Sequence, residues 1–355
     1  MKIVSFDSFC NDWAQKLDAR WPEEEQFCVY VSNPFCRKIC KFCIYKSSVL
    51  SEDRYRRYYE SYLPTLIRRL TPILSIRIPD TLYFGGGTAS LMDADTMHTV
   101  FGAIPNLELI GYKCFEANPA SLSKAKIDVL TEYKFTEISL GVQTFDEAVL
   151  NSQGREFASV QDIAGLVSYA ARQGLFVNVD LLTNYESDDE ENAARLKSDL
   201  MLVAQQVNPG KLTIYPRYQT YYKADKAHRI QQIKTLRNCI RSFCEQSQYR
   251  INPELVRVDT DDAILSYGAT DYHVYNMNAE VHAPRTRYNC SAPGYLQKPQ
   301  NVIGIGGYAK QIPYSYIWNA KQWYMINHNW QPLLVEAPFN DSTLPEESIM
   351  MNRKT

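Results

Sequence analysis

The sequence lacks three features that would each indicate a broad class of protein. No apolar run in its 355 residues approaches the length of a membrane span, so no membrane partner is expected. The formal net charge is only −2, with Lys and Arg spread along the chain, which argues against nucleic acid as a partner. Residues 1–7 carry an acid and no apolar core, so no signal peptide is expected.

Histidine is scarce, and most of the nine cysteines show no spacing typical of metal ligands. Neither a second C-x2-C pair nor an H-x3-H pair is present to complete a structural zinc site. Scattered cysteines of this kind are usually small buried hydrophobic residues. Free thiols predict a reducing compartment, so we expect a cytoplasmic location.

Three cysteines do form a pattern. Cys36, Cys40 and Cys43 have the spacing C-x3-C-x2-C, so a short loop can turn their thiolates toward one point. Three thiolates are one fewer than a closed 4Fe–4S or zinc site requires. A 4Fe–4S cluster held by three cysteines keeps one iron open for another ligand. From spacing alone, an open cluster, a different metal and no metal at all remain possible.

Short apolar runs alternate with amphipathic stretches through the first two thirds of the chain. We predict strands at 27–31, 81–84, 113–116, 137–140, 176–180 and 211–215. Predicted helices begin at Ser51 and cover 93–101, 121–131 and 159–172, the last ending at Gly174. Six strand–helix units in a row imply a parallel α/β sheet with right-handed crossovers, either a closed barrel or an open curved sheet.

The alternation stops near Asp225. A predicted helix at 227–247 is followed by a strand-like segment at 271–276 and a glycine cluster at 304–307. We therefore predict an N-terminal extension (1–25), a core domain (26–222) and a smaller α+β accessory or substrate domain (223–355).

Five blocks of sequence resemble one family in order and spacing. Residues 30–36 read Y-V-S-N-P-F-C, similar to Y-x-H-x-P-F-C. The other four blocks are G-G-G-T-A-S-L (85–91), E-A-N-P (116–119), S-L-G-V-Q-T-F (139–145) and N-V-D-L (178–181). Together they resemble the radical S-adenosylmethionine (SAM) superfamily. The similar branch contains oxygen-independent coproporphyrinogen III oxidases, heme chaperones and class C radical SAM methyltransferases.

The resemblance implies a partial (β/α)6 TIM-like barrel with a 4Fe–4S cluster held by Cys36, Cys40 and Cys43. The cluster would cleave SAM to a 5′-deoxyadenosyl radical, fed by a flavodoxin- or ferredoxin-type reductant. The implied contacts to SAM are Tyr30, Phe42 (beside the adenine), Gly85, Gly86, Gly87 and Thr88 (amino group), Glu116, Gln143 and Asp180 (ribose and amino groups) and Arg155 (carboxylate). Each also has a plain structural alternative, such as loop packing for Phe42 or helix capping for the acids.

The chain departs from the family at several positions. Ser32 replaces the histidine of the first block, and Phe157 replaces the histidine of the family's R-x-H. Residues 287–291 (R-Y-N-C-S) contain neither the histidine nor the tryptophan of the family's heme-binding H-N-x-x-Y-W. This difference argues against a heme chaperone.

Two further candidate sites lie in the C-terminal half. Cys290 is either a buried cysteine or a catalytic hydrogen donor. Ile303 and Gly304 correspond to a family segment near a second SAM molecule, although a glycine cluster alone is a weak signal.

We therefore predict a class C-type enzyme that transfers a one-carbon unit from a second SAM to a small aromatic or heteroaromatic substrate. The 25 tyrosines suit a pocket for a large planar molecule, although ordinary packing also explains them. One alternative is radical decarboxylation or ring opening of a tetrapyrrole. Another is a non-catalytic protein that traffics heme or another cofactor. The sequence leaves open the substrate, the use of a second SAM, the physiological reductant and the oligomeric state.

Overall fold

The computed structural model describes residues 26–43, 47–183, 185, 188–217, 225–251, 272–279, 300–309, 312–319, 322–327 and 334–337. Cys290 and the N-terminal extension lie outside these residues.

Six parallel strands form the centre of one sheet, adjacent to each other in chain order. They are β1 (Gln26–Asn33), β4 (Thr81–Gly86), β5 (Tyr112–Ala117), β6 (Glu137–Gln143), β7 (Phe176–Thr183) and β8 (Lys211–Pro216). All six predicted strands are confirmed, and each extends by one to three residues beyond the prediction at one end or both. The short strands β2 (Phe35–Cys36) and β3 (Ser48–Val49) pair separately beside the end of β1.

Further strands extend this sheet at both edges. Beyond β8 lie β10 (Tyr272–Asn276) and β9 (Tyr249–Ile251), both antiparallel to their neighbours. On the other side β11 (Gln300–Ala309) pairs parallel to β1, and β12 (Ile312–Asn319), β13 (Gln322–Asn327) and β14 (Leu334–Ala337) follow as an antiparallel meander. The described strands of the C-terminal half therefore continue the core sheet, and the proposed domain boundary at 222 stays a prediction.

The helices follow the strands as expected for crossover connections. The α-helices are Glu52–Tyr55, Leu63–Arg69, Thr71–Leu74, Ala94–Phe101, Lys124–Glu132, Glu147–Ser152, Val160–Arg172, Asp189–Leu202 and Lys226–Gln246. Segments Arg56–Tyr62 and Val203–Val207 are π-helical, and Ala89–Leu91 and Leu107–Leu109 are short 3₁₀ turns. Within the described residues no helix combines the length and apolar character needed to cross a bilayer.

Helix starts follow capping chemistry. The side chains of Ser51, Asp93, Ser123 and Ser159 each accept a hydrogen bond from a first-turn N–H. The start predicted at Ser121 is three residues early, because the N–H of Ser121 binds the carbonyl of Asn118 in a turn before the cap. The predicted stop at Gly174 is confirmed, with φ +81° after the helix ends at Arg172.

The helix predicted from Ser51 has an unpredicted π-helical centre. Pro64 has no N–H to donate to the carbonyl four residues earlier, and its ring crowds that carbonyl. The π-helical turns of Arg56–Tyr62 come immediately before Leu63 and Pro64 and absorb this mismatch.

The two faces of the central sheet differ in chemistry although both are largely buried. One face packs on the helices through apolar side chains: Leu82, Phe84, Phe115, Ile138, Leu140, Val177, Val179, Leu212 and Ile214. The other face carries Tyr83, Glu116, Ser139, Asn178, Asp180 and Thr213, which hydrogen-bond to one another. Since side chains alternate along a strand, this polar face occupies every second position. It forms the inner face of the barrel and leads to the functional site.

Candidate active site

The three cysteines lie on the loop after β1, at the carboxyl end of the parallel strands, where parallel α/β sheets place their functional loops. The Cys43 N–H donates to the Cys40 carbonyl at 3.1 Å, and the Leu50 N–H donates to the Cys36 carbonyl at 2.9 Å. The Lys41 N–H donates to the carbonyl of Gln153 at 2.9 Å, which ties the loop to the segment after β6. None of the three cysteines forms a disulfide bond, and all three are partly exposed.

One cavity collects these thiols. Its lining residues are Cys36, Arg37, Lys38, Ile39, Cys40, Phe42, Cys43, Ser47, Gly87, Thr88, Leu91, Asn118, Gly154, Arg155 and Glu156. The lining holds three cysteines and no histidine. Within the described residues, no three His, Cys, Asp or Glu side chains gather closely enough to hold one metal ion. An iron–sulfur cluster, unlike a single metal ion, binds its thiolates through several irons.

Two side chains contact the sulfurs. The Thr88 hydroxyl lies 3.5 Å from Cys36 Sγ, and Arg155 Nη1 lies 3.9 Å from Cys40 Sγ. Burial raises the pKa of Cys40, and the Arg155 cation opposes that rise. Hydrogen bonds to sulfur are one of the means by which proteins tune iron–sulfur clusters. The donor set therefore fits a 4Fe–4S cluster with three protein ligands.

The glycine turn after β4 packs directly on the chain that leads to the cysteines. Gly86 has φ +104°, and a Cβ there would lie 2.9 Å from the backbone N and O of Asn33. At Gly87 a Cβ would lie 2.5 Å from the carbonyl oxygen of Phe35. The Gly87 N–H donates to the Asn33 carbonyl, and Asn33 Nδ2 donates to the Gly85 carbonyl at 3.0 Å. Glycine is thus required because two backbones meet here, and this contact fixes the cysteine loop.

Glu116 lies near the carboxyl end of β5, beside this turn. The Tyr83 hydroxyl donates to its Oε1 at 2.7 Å, and the Gly86 N–H donates to its Oε2 at 3.2 Å. Burial raises the pKa of Glu116 to about 7, and the nearby Asp180 carboxylate adds to this rise. The group is therefore poised to change charge near neutral pH.

Asp180 lies two strands away, on β7. It accepts hydrogen bonds from Ser139 Oγ at 2.9 Å and from Asn178 Nδ2 at 2.8 Å. Burial raises the pKa of Asp180 to about 6 despite these hydrogen bonds. Two acids with raised pKa values at one end of a polar barrel face are typical of a functional site.

Gln143 and Arg155 meet where β6 ends. Gln143 adopts φ +75°, uncommon for a residue other than glycine, at a bulge in the pairing of β6 with β7. Its Oε1 accepts a hydrogen bond from the Tyr215 hydroxyl at 3.1 Å. Arg155 donates to the carbonyl of Gly141. A side chain at position 141 would lie 2.9 Å from the Gln143 amide and 3.1 Å from the Arg155 guanidinium, so glycine leaves room for both.

Phe42, between two of the cysteines, packs between a cation and an aromatic ring. The Arg155 guanidinium lies 5.9 Å from its ring centre, and the Tyr185 ring meets it edge-on at 6.3 Å. Arg155 therefore contacts Cys40, Phe42 and Gly141 at once and links the loop to β6.

Other predicted site residues lie away from the cavity. Tyr30 is 3% exposed and stacks on Tyr83 at 5.7 Å, beneath the glycine turn. Ile303 and Gly304 lie on β11 and pair with Val29 and Tyr30. The structure therefore brings the cysteines, Phe42, Gly87, Thr88 and Arg155 to one cavity. Glu116, Asp180 and Gln143 lie at the adjoining strand ends.

Several side chains that position the site were missed from the sequence. Tyr83, Ser139 and Asn178 hold the two acids, and Tyr215 holds Gln143. Each lies on the inner face of its strand. The sequence signal that could have identified them is a polar residue at every second position of a strand. Tyr58, missed as well, places its hydroxyl 2.8 Å from the Ser32 carbonyl and beside that of Gly306, which links the end of β1 to β11.

The fold and the site together define a partial α/β barrel that carries a three-cysteine loop at its mouth. Residues 30–197 match the Radical SAM superfamily model. This part of the chain is a radical SAM domain.

Named relatives belong to the branch predicted from the sequence. The heme chaperone HemW of Lactococcus lactis is 35% identical over 135 residues, which are 37% of this chain and 34% of the relative. The oxygen-independent coproporphyrinogen III oxidase of Paracoccus denitrificans is 27% identical over 214 residues, 58% of this chain and 45% of the relative. The chain thus spans about a third to a half of the length of these curated relatives.

A solved structure supports the fold. Coproporphyrinogen III oxidase (HemN) from Escherichia coli, a radical SAM enzyme, superposes with a TM-score of 0.63 at 19% identity. The match covers 97% of this chain and 77% of that chain. The predicted partial barrel is therefore confirmed.

Proposed function

We propose that the protein is an enzyme that binds a 4Fe–4S cluster at Cys36, Cys40 and Cys43 and uses it to cleave SAM. The main support is the cavity in which three cysteines, and no histidine, meet Phe42 and Arg155. When bound and reduced, such a cluster supplies the electron that breaks the C–S bond of SAM and yields a 5′-deoxyadenosyl radical. We propose a flavodoxin- or ferredoxin-type protein as the source of that electron.

Binding of SAM is assigned to the residues around the cysteine loop. Arg155 offers a guanidinium suited to a bidentate contact with the methionine carboxylate. Glu116, with the glycine turn beside it, offers a carboxylate to the amino group. Phe42 is proposed to flank the adenine, and Gln143 and Asp180 to bind the ribose.

Binding of SAM is expected to depend on the protonation state of Glu116. A carboxylate pairs with an ammonium group only when it is ionised, and the pKa of Glu116 is raised to about 7 by burial. The positive charge of bound SAM favours the ionised form and draws the proton off Glu116. Binding of SAM therefore couples to release of a proton below pH 7.

A tetrapyrrole is the favoured substrate class. The relatives described above are named for coproporphyrinogen oxidation and heme delivery. Decarboxylation or ring opening by a substrate radical would then follow hydrogen abstraction. This assignment replaces one-carbon transfer as the first choice.

One-carbon transfer from a second SAM is retained as the second candidate because of β11. Ile303 and Gly304 lie outside the cavity, but they pair with β1, the strand that leads into the cysteine loop. Cys290 would then be the candidate hydrogen donor. Heme or cofactor trafficking without catalysis is the third candidate, favoured by the HemW relative alone.

The experiment is an anaerobic incubation of reconstituted, dithionite-reduced protein with methyl-labelled SAM, followed by mass spectrometry. Deoxyadenosine that depends on Cys40 supports the proposed activity. Methylthioadenosine or S-adenosylhomocysteine in addition would favour one-carbon transfer. Heme binding with no deoxyadenosine, in the presence of coproporphyrinogen, would favour trafficking and overturn the enzymatic proposal.

A further inference from the structure

A buried carboxylate on the helix Asp189–Leu202 has no role in the scheme above. Asp199 is 4% exposed, and it lies among helix positions that face the apolar core, such as Leu196 and Leu200. An aspartate is rarely buried to this extent unless other groups pair with it, and it is a poor residue for a helix interior. Its contacts should therefore explain its position.

Asp199 contacts the turn that follows β6. Its Oδ1 accepts a hydrogen bond from the Phe145 N–H at 3.0 Å, and the carboxylate also accepts one from the Thr144 hydroxyl. Burial raises the pKa of Asp199 to about 6, and these two hydrogen bonds and the Arg195 cation oppose that rise. The group is therefore mostly ionised at neutral pH, and an ionised acceptor makes stronger hydrogen bonds than a neutral one.

Arg195, one helical turn before Asp199, holds the same turn at its next residue. The Arg195 Nε donates to Asp146 Oδ2 at 3.4 Å. Asp146 also caps the helix Glu147–Ser152 through its other carboxylate oxygen. Two side chains of one helix thus fix the three residues that follow Gln143.

The turn needs such support because of the backbone of Gln143. This residue has φ +75°, and the pairing of β6 with β7 is irregular at this position. A residue other than glycine in this conformation costs free energy and persists only where the surrounding contacts fix it. Thr144 and Phe145 come directly after it, so their hydrogen bonds to Asp199 act on the backbone beside the strained residue.

The orientation of Gln143 matters to the candidate site. Its Oε1 accepts a hydrogen bond from the Tyr215 hydroxyl at 3.1 Å, and the proposed function assigns the side chain to the ribose of SAM. Asp199 is not among the residues that line the cavity of the three cysteines. Any effect of Asp199 on ligand binding would therefore pass through the turn.

We propose that Asp199 is a positioning residue that holds Gln143, through the turn between them, in the orientation that binds the ribose of SAM. This inference rests on the proposed function, because the ribose contact is taken from it. The hydrogen bonds to Thr144 and Phe145 carry the effect, with Arg195 in support. A purely structural role, in which Asp199 only packs the helix on the sheet, would lower stability without a separate effect on SAM binding.

The test compares variants of the full chain by two measurements. Hydrogen–deuterium exchange without SAM reads the protection of residues 143–146, and titration of SAM into the reconstituted protein reads affinity. The variants are Asp199→Ala, Asp199→Asn and Thr144→Val, which removes only the hydroxyl side of the contact. The matched control is Leu196→Ala, a buried residue of the same helix whose truncation should lower stability by leaving a cavity.

We expect the turn to exchange faster in Asp199→Ala and in Thr144→Val than in Leu196→Ala. SAM should bind about tenfold more weakly to Asp199→Ala, because hydrogen bonds to a charged acceptor are lost. The loss should be smaller for Thr144→Val and for Asp199→Asn, which keeps an oxygen acceptor. Leu196→Ala should bind SAM within about twofold of the wild type although urea unfolding shows it to be less stable.

A double-variant cycle tests the route through Gln143. Gln143→Ala should weaken SAM binding by itself. Adding Asp199→Ala should then change the affinity by no more than about twofold, because the side chain that Asp199 positions is gone.

Equal SAM affinities for Asp199→Ala and Leu196→Ala would overturn the proposal, as would losses that add in full in the double variant. If Asp199→Ala does not fold, Thr144→Val decides, and unchanged exchange and affinity there would overturn the proposal. Failure of the proposed function is distinguishable. It would appear as wild-type protein that neither binds SAM nor forms deoxyadenosine, whereas exchange reads the turn without SAM or catalysis.

Discussion

The two faces of the central sheet are both largely buried, yet one is apolar and the other polar. On the outer face Phe84 is fully buried among Phe101, Phe115 and Phe135, with ring centres 5.1 to 5.9 Å away. On the inner face, residues of the same strands form chains of hydrogen bonds that end at Glu116 and Asp180. Parallel strands covered on both sides are usually apolar throughout.

The two faces therefore have different roles: the apolar face stabilises the fold, and the polar face holds candidate site residues. The outer face gains free energy of folding by burying apolar surface. On the inner face, holding carboxylates with raised pKa values beside the cysteine loop offsets part of that free energy. Substitutions on the outer face should therefore change the free energy of unfolding. Substitutions at the cysteine loop and at the adjoining ends of the inner face should change ligand binding.

The largest expected effect is at the cysteine loop. Cys40→Ala removes one of three thiolates, so the reconstituted protein should lose its cluster and its deoxyadenosine formation should fall to background. The control is Cys239→Ala, on the helix Lys226–Gln246. Iron analysis and mass spectrometry provide the measurement, and equal loss in both variants would contradict the assignment.

The next effect is on the outer face. Phe84→Ala should lower the free energy of unfolding by roughly 3–5 kcal/mol, because it leaves a cavity in a cluster of four aromatic rings. Urea denaturation of the apoprotein measures it, with Phe84→Leu as the milder control. A loss below 1 kcal/mol would argue that this face is not the stabilising one.

The apolar outer face could be predicted from the sequence more fully than the contacts of the polar inner face. All six strands were found because their outer residues, such as Leu82 and Val177, are apolar and β-branched or bulky. The candidate cysteines, glycines and acids could be proposed from the sequence because they lie in short blocks of characteristic spacing, and their roles stay predictions.

The supporting contacts were not found, because they join residues far apart in the sequence. Tyr83 and Glu116 are neighbours only once β4 and β5 pair, and Arg155 reaches Cys40 only through the loop after β6. The π-helix before Pro64 and the continuation of the sheet by β11 likewise depend on tertiary packing.

Glu116→Gln tests the role of the polar inner face in binding SAM. The variant should bind SAM about 10- to 100-fold more weakly, since a charge-assisted hydrogen bond is lost. Asp162→Asn, which alters an exposed acid in the first turn of a helix, is the matched control. Titration of SAM into the reconstituted proteins measures the effect, and equal affinities would remove Glu116 from the SAM site.

Gly86→Ala tests the contact between the glycine turn and the cysteine loop. A side chain at φ +104° and 2.9 Å from the Asn33 backbone should cost about 1–3 kcal/mol of stability and reduce iron incorporation. Gly111→Ala is the control, because no atom lies within 4 Å of its added Cβ. If both variants incorporate iron equally, the turn does not fix the loop.

The last expected effect is on the pH dependence of stability. Glu116 and Asp180, with pKa values of about 7 and about 6, keep protons in the folded state at pH values where the unfolded chain has lost them. The apoprotein should therefore lose stability as pH rises from about 4.5 to 7. Urea unfolding across this range measures the slope, which should be shallower in Glu116→Gln; an unchanged slope would mean that Glu116 titrates normally.

The most direct test of the central claim is electron paramagnetic resonance of the anaerobically reconstituted, reduced protein with and without SAM. We expect one 4Fe–4S cluster per chain, with a spectrum that changes on addition of SAM because one iron is open. A reduced cluster whose spectrum is unaffected by saturating SAM, or a site that takes up zinc in place of a cluster, would contradict the account.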